Sequence, residues 1–535
     1  MRTADVILTS NAVFTGLDEC PHPAAIVIVG NKIAHIGTRQ EVESWIGPHT
    51  KQFHYEDQLI MAGFHDFHVH VMLGSLFNEF SVSLSEAKSE LEAVEMVKQY
   101  AHSRPEDHWI IGYGWDKDSW TNPDYPHRSS LDRVLPDRPA LLFSAECHYA
   151  WVNSKALELI NVDRNTVSPP FGIIHKDEFG EPTGILHESA MSLAADHALH
   201  FSEKREEEIL VNFFKQAAKV GVTSVHDMFS SRAMKKIMRY ELFKKFEDQE
   251  RMSARIHILP ALDGDLETAK ALRETYQSDK LQFSGLKQFI DGVVSGHTAY
   301  MLDPYIDQPE WRGEPAFPEE TIKQWVIDAD REGFRIRFHT IGDAATRIAL
   351  DAFEEAQKRN GRRDSRHTLE HLEVVHPEDI PRFKQLGVMA SMQPQHLALM
   401  PVSSYTTRIG EEKSDRIYPI KTLKESGATL AFGSDYPVAP LNPMLEIHRA
   451  VTRLEYSEDR VLNEAECIPL VDALRHYTVD PAYGAFRENE MGTLEKGKLA
   501  DIVVLDRNLF EVSPEQIRDA KVRLTMMDGK IVFES

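Results

Sequence analysis

Cysteine is scarce, positive charge is in deficit, and long apolar runs are missing. The three cysteines, Cys20, Cys147 and Cys467, are scattered with no C-x-x-C pair, which leaves no basis for a disulfide framework and fits a reducing compartment. A cytoplasmic location is therefore the expectation. Sixty Lys and Arg stand against 84 Asp and Glu, a formal charge of −24. Such a surplus repels phosphate backbones and anionic headgroups, so neither nucleic acid nor a membrane is an expected partner. No run is long enough to span a bilayer, and Asp5 interrupts any N-terminal signal pattern. Short-period repeats and low-complexity linkers are also absent. At 535 residues the chain can bury a large core and form more than one domain.

What the chain does have is a regular alternation of helical and strand patterns. Residues 321–332 read as a helix stopped at Gly333, and 334–339 as a strand ending in His339. The unit repeats with a helix over 344–360 stopped at Gly361, then a strand over 367–375 carrying His371. A helix over 377–386 ends at Gly387, a strand follows over 388–392, a helix spans 414–426 to Gly427, and a strand over 428–434 delivers Asp435. His339 and His371 are thus one β/α unit apart, and Asp435 lies two units beyond. This pattern predicts an α/β fold, a (β/α)₈ TIM-like barrel, in which side chains at the C-terminal strand ends converge on one mouth.

Imidazole and carboxylate groups meeting there suit Zn²⁺ and related divalent ions. Upstream, Ala62-Gly63-Phe64-His65-Asp66-Phe67-His68-Val69-His70 follows an apolar run. On a strand, His68 and His70 project from one face and can grip one ion, while His65 points the other way. With 25 histidines in the chain, about one H-x-H arises by chance, so the pair gains its meaning from the strand-end residues downstream. Lys287, in Gly285-Leu286-Lys287-Gln288-Phe289-Ile290-Asp291-Gly292, needs its own argument because an ammonium repels a cation. Burial would favour the neutral amine, which can add carbon dioxide to form a carbamate able to bridge two metals. The plainer reading of the same residues is a lysine paired with Asp291 or half exposed.

The order H-x-H, strand lysine, strand histidine, strand histidine, strand aspartate resembles the amidohydrolase superfamily. Several phrases are similar to its family-3 branch, which includes N-substituted formamide deformylases. They are Gly112-Tyr113-Gly114-Trp115-Asp116 with Trp120, His148-Tyr149-Ala150-Trp151-Val152-Asn153-Ser154, the Lys287 segment, His339-Thr340-Ile341-Gly342-Asp343, Leu369-Glu370-His371 and Gly433-Ser434-Asp435-Tyr436-Pro437. The likeness covers nearly the whole chain. It implies that His68 and His70 hold one metal with Asp435, that carbamylated Lys287 bridges, and that His339 and His371 hold the second. One or two divalent ions, with zinc foremost, are the implied cofactors. Ala62 and His65 stand where the branch usually has proline and isoleucine, a change of packing and not of ligands.

From that ligand set follows a mechanism. A metal-activated hydroxide attacks a carbonyl carbon, and Asp435 takes the proton from water and passes it to the departing nitrogen. His148 is either a second donor to the developing oxyanion or a histidine packed beside Trp151. The expected function is hydrolysis of a non-peptide carbon–nitrogen bond in a small molecule: an N-formyl or N-acyl amide with an apolar amine part. Two alternatives stay open. One is the same centre acting as a deaminase or on a cyclic amide, amidine, ester or lactone; the other is an inactive metal-binding regulatory protein.

The two ends of the chain are β-rich, with Val6-Ile7-Leu8-Thr9 and Ala25-Ile26-Val27-Ile28-Val29 answered by Ile502-Val503-Val504-Leu505 and Ile531-Val532-Phe533. They predict a composite β-sandwich domain from residues 1–58 and 492–535, with the barrel over 59–491. The long stretch after His70 exceeds what a crossover needs, so residues 75–215 are expected to form an inserted α/β subdomain. It supplies Trp115, Trp120 and Trp151, and the segment after Lys287 supplies Tyr300, Met301, Trp311 and Arg312. These residues either line an apolar substrate pocket or form subdomain core. Residues 444–453 and 472–477 read as helices closing the barrel, and a homodimer is the expected assembly.

Overall fold

In a computed structural model, which describes residues 3–229, 236–455 and 460–535, two parallel sheets carry the centre of the molecule. One has four strands in the order Leu281–Phe283, Arg255–Leu259, Val222–Met228, Phe64–Val69. The other has five in chain order: Leu286–Phe289, Ile336–Thr340, Thr368–His371, Met389–Met392 and Thr429–Phe432. Val222–Met228, Arg255–Leu259 and Ile336–Thr340 are buried along their whole length, as strands covered on both faces must be.

Two single parallel bridges join these sheets. Ala261 pairs with Lys287, and Val69 pairs with Tyr436. The second junction is drawn together by the Asp435 N–H donating to the His68 carbonyl at 2.7 Å and the His70 N–H to the Tyr436 carbonyl at 2.9 Å. Gly433 allows this approach, since a Cβ there would collide with the His68 backbone and Cβ. The first and last histidine- and aspartate-bearing strand ends are therefore neighbours in space.

Helices including Glu203–Lys219, Glu319–Arg331 and Asp343–Asn360 connect successive strands. Gly361, at φ 89°, and Gly387, at φ 69°, end their helices as expected, because the left-handed region is open to a residue without Cβ. One helix differs. The span expected over 414–426 is split into a 3₁₀ turn, Glu411–Arg416, and a helix, Ile420–Glu425. Pro419 separates them, lacking the N–H that a continuous helix would require.

Strands from both chain ends form one seven-stranded sheet, in the order Lys530–Glu534, Val522–Met527, Ile502–Leu505, Lys51–Ala62, Val6–Phe14, His22–Val29, Lys32–Gly37. Lys51–Ala62 runs past residue 58 because its far end pairs with both Val6–Phe14 and Ile502–Leu505. Leu8, Ile26, Ile28, Ile60, Ile502, Val504 and Leu524 pack together on one face. A six-stranded sheet over residues 82–188 falls in sequence between Phe64–Val69 and Val222–Met228. It meets the central strands where the Tyr113 hydroxyl donates to the Pro437 carbonyl at 2.6 Å. Among the described residues no helix is long and apolar enough to cross a membrane.

Candidate metal centre

His68 ends the strand Phe64–Val69, and its Nδ1 lies 2.9 Å from Glu370. A carboxylate only accepts, so Nδ1 carries the proton and Nε2 keeps its lone pair. His70 is arranged alike, with Nδ1 donating to the Met228 carbonyl at 3.2 Å. Both lone-pair nitrogens then face one carboxylate oxygen, Oδ1 of Asp435, at 3.3 Å from His68 and 3.1 Å from His70. Lone pair against carboxylate at that separation is repulsive unless a cation lies between them. This donor set fits a divalent ion, with second-sphere acceptors fixing each ring as metal-binding histidines require.

His371 and His339 extend the group. His371 Nδ1 lies 3.9 Å from Asp435 Oδ2 and has no hydrogen-bond partner although buried. One ligand atom each from His68, His371 and Asp435 falls within 4.8 Å of the others. His339 donates from Nε2 to the Gly292 carbonyl at 3.1 Å, and its ring sits 4.5 Å from that of His371. His371, Leu372 and Asp435 take φ values of 72°, 55° and 55°. For residues with side chains the left-handed region costs energy, and strain of this kind concentrates at functional strand ends.

Lys287 is fully buried and its Nζ has no hydrogen-bond partner. It is not paired with Asp291, whose carboxylate is occupied by the backbone N–H groups of Ile341, Gly342 and Tyr300 at 2.8 to 3.0 Å. Burial pulls the Lys287 amine down to about 8, against the pull of the Glu370 and Asp435 charges. A buried, partnerless amine that sheds its proton near neutrality fits the chemistry of carbamate formation.

The histidines are held neutral, the form in which they ligate. Burial pulls His68 down to about 4, and it holds His339 and His371 well below the ordinary imidazole range, helped by His148 and His339 respectively. Burial pushes the Asp435 carboxyl up, but His68, His70 and His396 outweigh it and hold the group below the usual carboxylate range. Glu370 sits at the hub. It accepts from His68 and from both Nε and Nη2 of Arg337, and all three side chains are buried.

Beside these residues lies a narrow cavity of about 20 Å³, walled by Glu146, His148, Glu373, His396, Tyr405 and Tyr418 together with apolar Val293, Leu399 and Met400. His148 is not packed against Trp151: its Nδ1 faces both oxygens of Glu188 at 3.0 and 3.1 Å, and its ring lies 5.1 Å from His339. Burial opposes its charge, yet Glu188 raises it to about 9, so His148 is an imidazolium.

The aromatic residues expected to line a pocket lie elsewhere. Trp115, Trp120 and Trp151 form the core of the six-stranded sheet with Tyr149 and Leu142. Tyr300 and Met301 are packed in the main core, Arg312 reaches the Tyr300 hydroxyl at 3.1 Å, and Trp311 is partly exposed, donating to the His297 carbonyl. None borders the cavity. Trp115, Trp120, Tyr149 and Trp151 instead bury their large apolar area against one another.

Glu146, Glu370, Glu373 and His396 were not anticipated. Glu370 and Arg337 had a signal, since a charge inside a fully buried strand must have a partner. His65 lies apart, its ring stacked on His226 and His257 at 5.0 and 5.2 Å. These three histidines also cluster, but their rings are within 27° of parallel, so in-plane lone pairs do not converge on one ion.

Comparison with known proteins agrees with this geometry. A model described as the amidohydrolase family matches residues 56–533. The chain is 31% identical over 540 residues to Protein LONG AFTER FAR-RED 3 of Arabidopsis thaliana, covering 99% of this chain and 92% of that one. It is 27% identical over 532 residues to N-substituted formamide deformylase of Arthrobacter pascens, covering 95% of each. A crystal structure of an uncharacterized metal-dependent hydrolase from Pyrococcus horikoshii superposes with a TM-score of 0.74 at 26% identity, covering 95% of this chain and 99% of that one.

Proposed function

The chain belongs to the amidohydrolase family, and from that premise we propose a metal-dependent hydrolase of carbon–nitrogen bonds in small molecules, acting on an N-formyl or other N-acyl amide. The observation that carries this reading is the pair of lone-pair nitrogens, on His68 and His70, facing a single oxygen of Asp435. The likeness to a formamide deformylase over nearly the whole chain supports the bond type. The parallel strands of the two central sheets, with Leu281–Phe283 and Leu286–Phe289 counted as one interrupted strand, are read as a (β/α)₈ barrel, supported by the two bridges between the sheets and by the site's position at C-terminal strand ends.

In this reading His68, His70 and Asp435 would hold one divalent ion and His339 and His371 a second, with carbamylated Lys287 as a further ligand. Bound there, such an ion would supply Lewis acidity and a lowered pKa for water. The chain's own groups do the rest. Asp435, ionised at neutral pH, accepts the proton of the attacking water and returns it to the departing nitrogen. His148, held as an imidazolium by Glu188, is a donor for the negative charge growing on the carbonyl oxygen. Arg337 and Glu370 keep His68 in its working orientation.

A panel of N-formyl and N-acyl amines tests the proposal, with product amine measured with and without a chelator. Amine release that disappears on chelation and returns with added zinc is the expected result. Ammonia released from amidines or aminopurines, with no amide cleaved, would move the same centre to deamination. Metal bound without turnover of any class would contradict an enzyme.

A further inference from the structure

The cavity beside the metal centre is acidic. Glu146 and Glu373 both border it, and among the described residues no Lys, Arg or His lies within ion-pair distance of Glu146. Among the described residues its one donor is the Ser295 hydroxyl. Glu373 is better supplied, accepting from the Tyr405 hydroxyl at 2.7 Å, with Tyr418 linked to Tyr405 at 3.0 Å. The ring of His396 lies 3.7 Å from it. His148, a positive group on this wall, is committed to Glu188.

Glu146 is half-buried, and a carboxyl with one donor, on the wall of a small cavity near a second carboxyl, has lost part of its water without gaining a counter-charge. Burial and the Glu373 charge push the Glu146 carboxyl up to about 8, against the Ser295 hydrogen bond and His148. Near neutral pH a carboxyl so placed keeps its proton until a cationic group arrives to take the place of the missing counter-charge. Leu399, Met400, Val293, Ile341 and Val438 line the rest of the space, which suits a short methylene chain.

We propose that Glu146, with Glu373 behind it, selects substrates carrying a cationic nitrogen a few carbons from the scissile amide: mono-acylated diamines or acylamines ending in an amidine or guanidine. This rests on the amidohydrolase reading above and replaces the apolar amine part suggested by aromatics that the structure places elsewhere. Glu146 acts here as a specificity-determining group. A neutral end in its place leaves that carboxyl unpaired, which biases binding by about tenfold or more.

Two probes of equal length separate the outcomes: N-formyl-1,3-diaminopropane, with an ammonium end, and N-butylformamide, with a methyl end. On the metal-loaded protein the ammonium probe is expected to show kcat/KM at least about tenfold higher. That ratio should fall towards one in Glu146→Gln, survive in Glu146→Asp, and drop in Glu373→Gln. Calorimetric binding of both probes to metal-loaded Asp435→Asn protein reads the same preference without turnover. Equal or reversed preference, or a ratio indifferent to Glu146→Gln, overturns the inference. Ammonium-selective binding with hydrolysis of neither probe overturns the amide reading and leaves the inference standing.

Discussion

Nδ1 of His68 lies 2.9 Å from Glu370, and the same carboxylate is clasped by Arg337 on the neighbouring strand. A carboxylate placed between a guanidinium and an imidazole settles which nitrogen of His68 carries the proton. Nε2 is thereby turned, unprotonated, towards Asp435. Orientation of the ligand sphere thus depends on an ion pair that is itself fully buried.

Removing Glu370 is therefore expected to act twice. Glu370→Gln should weaken zinc binding by about 10- to 100-fold, as loss of an outer-sphere acceptor does, read by chelator competition. Glu370→Ala should in addition cost about 3–5 kcal/mol, because Arg337 is left buried without a counter-charge. Unfolding by denaturant measures this cost, and an unchanged midpoint would contradict it.

Asp435→Asn tests the proton carrier. The amide keeps an oxygen able to coordinate but cannot take a proton, so kcat should fall by at least about 10²- to 10⁴-fold. Metal content should stay close to the wild-type value. Turnover within a few-fold of wild type would sink the assigned role.

The histidine stack makes stability sensitive to acid. Burial, with nearby Arg487 and Arg337, pulls His65 down to about 3, while His226 and His257 are held well below the ordinary range by burial and by each other or His65. Folded, these rings stay neutral; unfolded, each takes a proton below about pH 6.5. Their contribution is complete above that pH and is lost as pH falls from 6.5 towards about 3 for His65. The slope approaches about 1.4 kcal/mol per pH unit for each ring. Denaturant unfolding of the chelated protein between pH 7.5 and 5 should show this decline, flattened by about one proton in His257→Gln. An equal slope in that variant would refute the assignment.

The positions of His339, His371 and Asp435 at strand ends, one and then two β/α units apart, were legible because a β/α unit is a local pattern, with its helix stops at Gly361 and Gly387 visible in the chain. Lys287 was less so. Its residues allowed a pairing with Asp291, and only the fold shows three backbone N–H groups occupying that carboxylate. Trp115, Trp120 and Trp151 misled because composition does not distinguish a pocket wall from the core of an inserted sheet. Glu146, Glu373 and His396 come from three separate segments, so nothing in local sequence joins them. Pro419 was a local signal, and it broke a helix that periodicity alone had extended.

Metal content per chain by elemental analysis, combined with intact mass under non-denaturing conditions, tests the central claim most directly. Two divalent ions per chain together with the added mass of one carbon dioxide, the latter lost in Lys287→Ala, is the predicted result. One ion and no added mass would contradict the bridged pair and return Lys287 to a structural role, and no metal at all would contradict the centre itself.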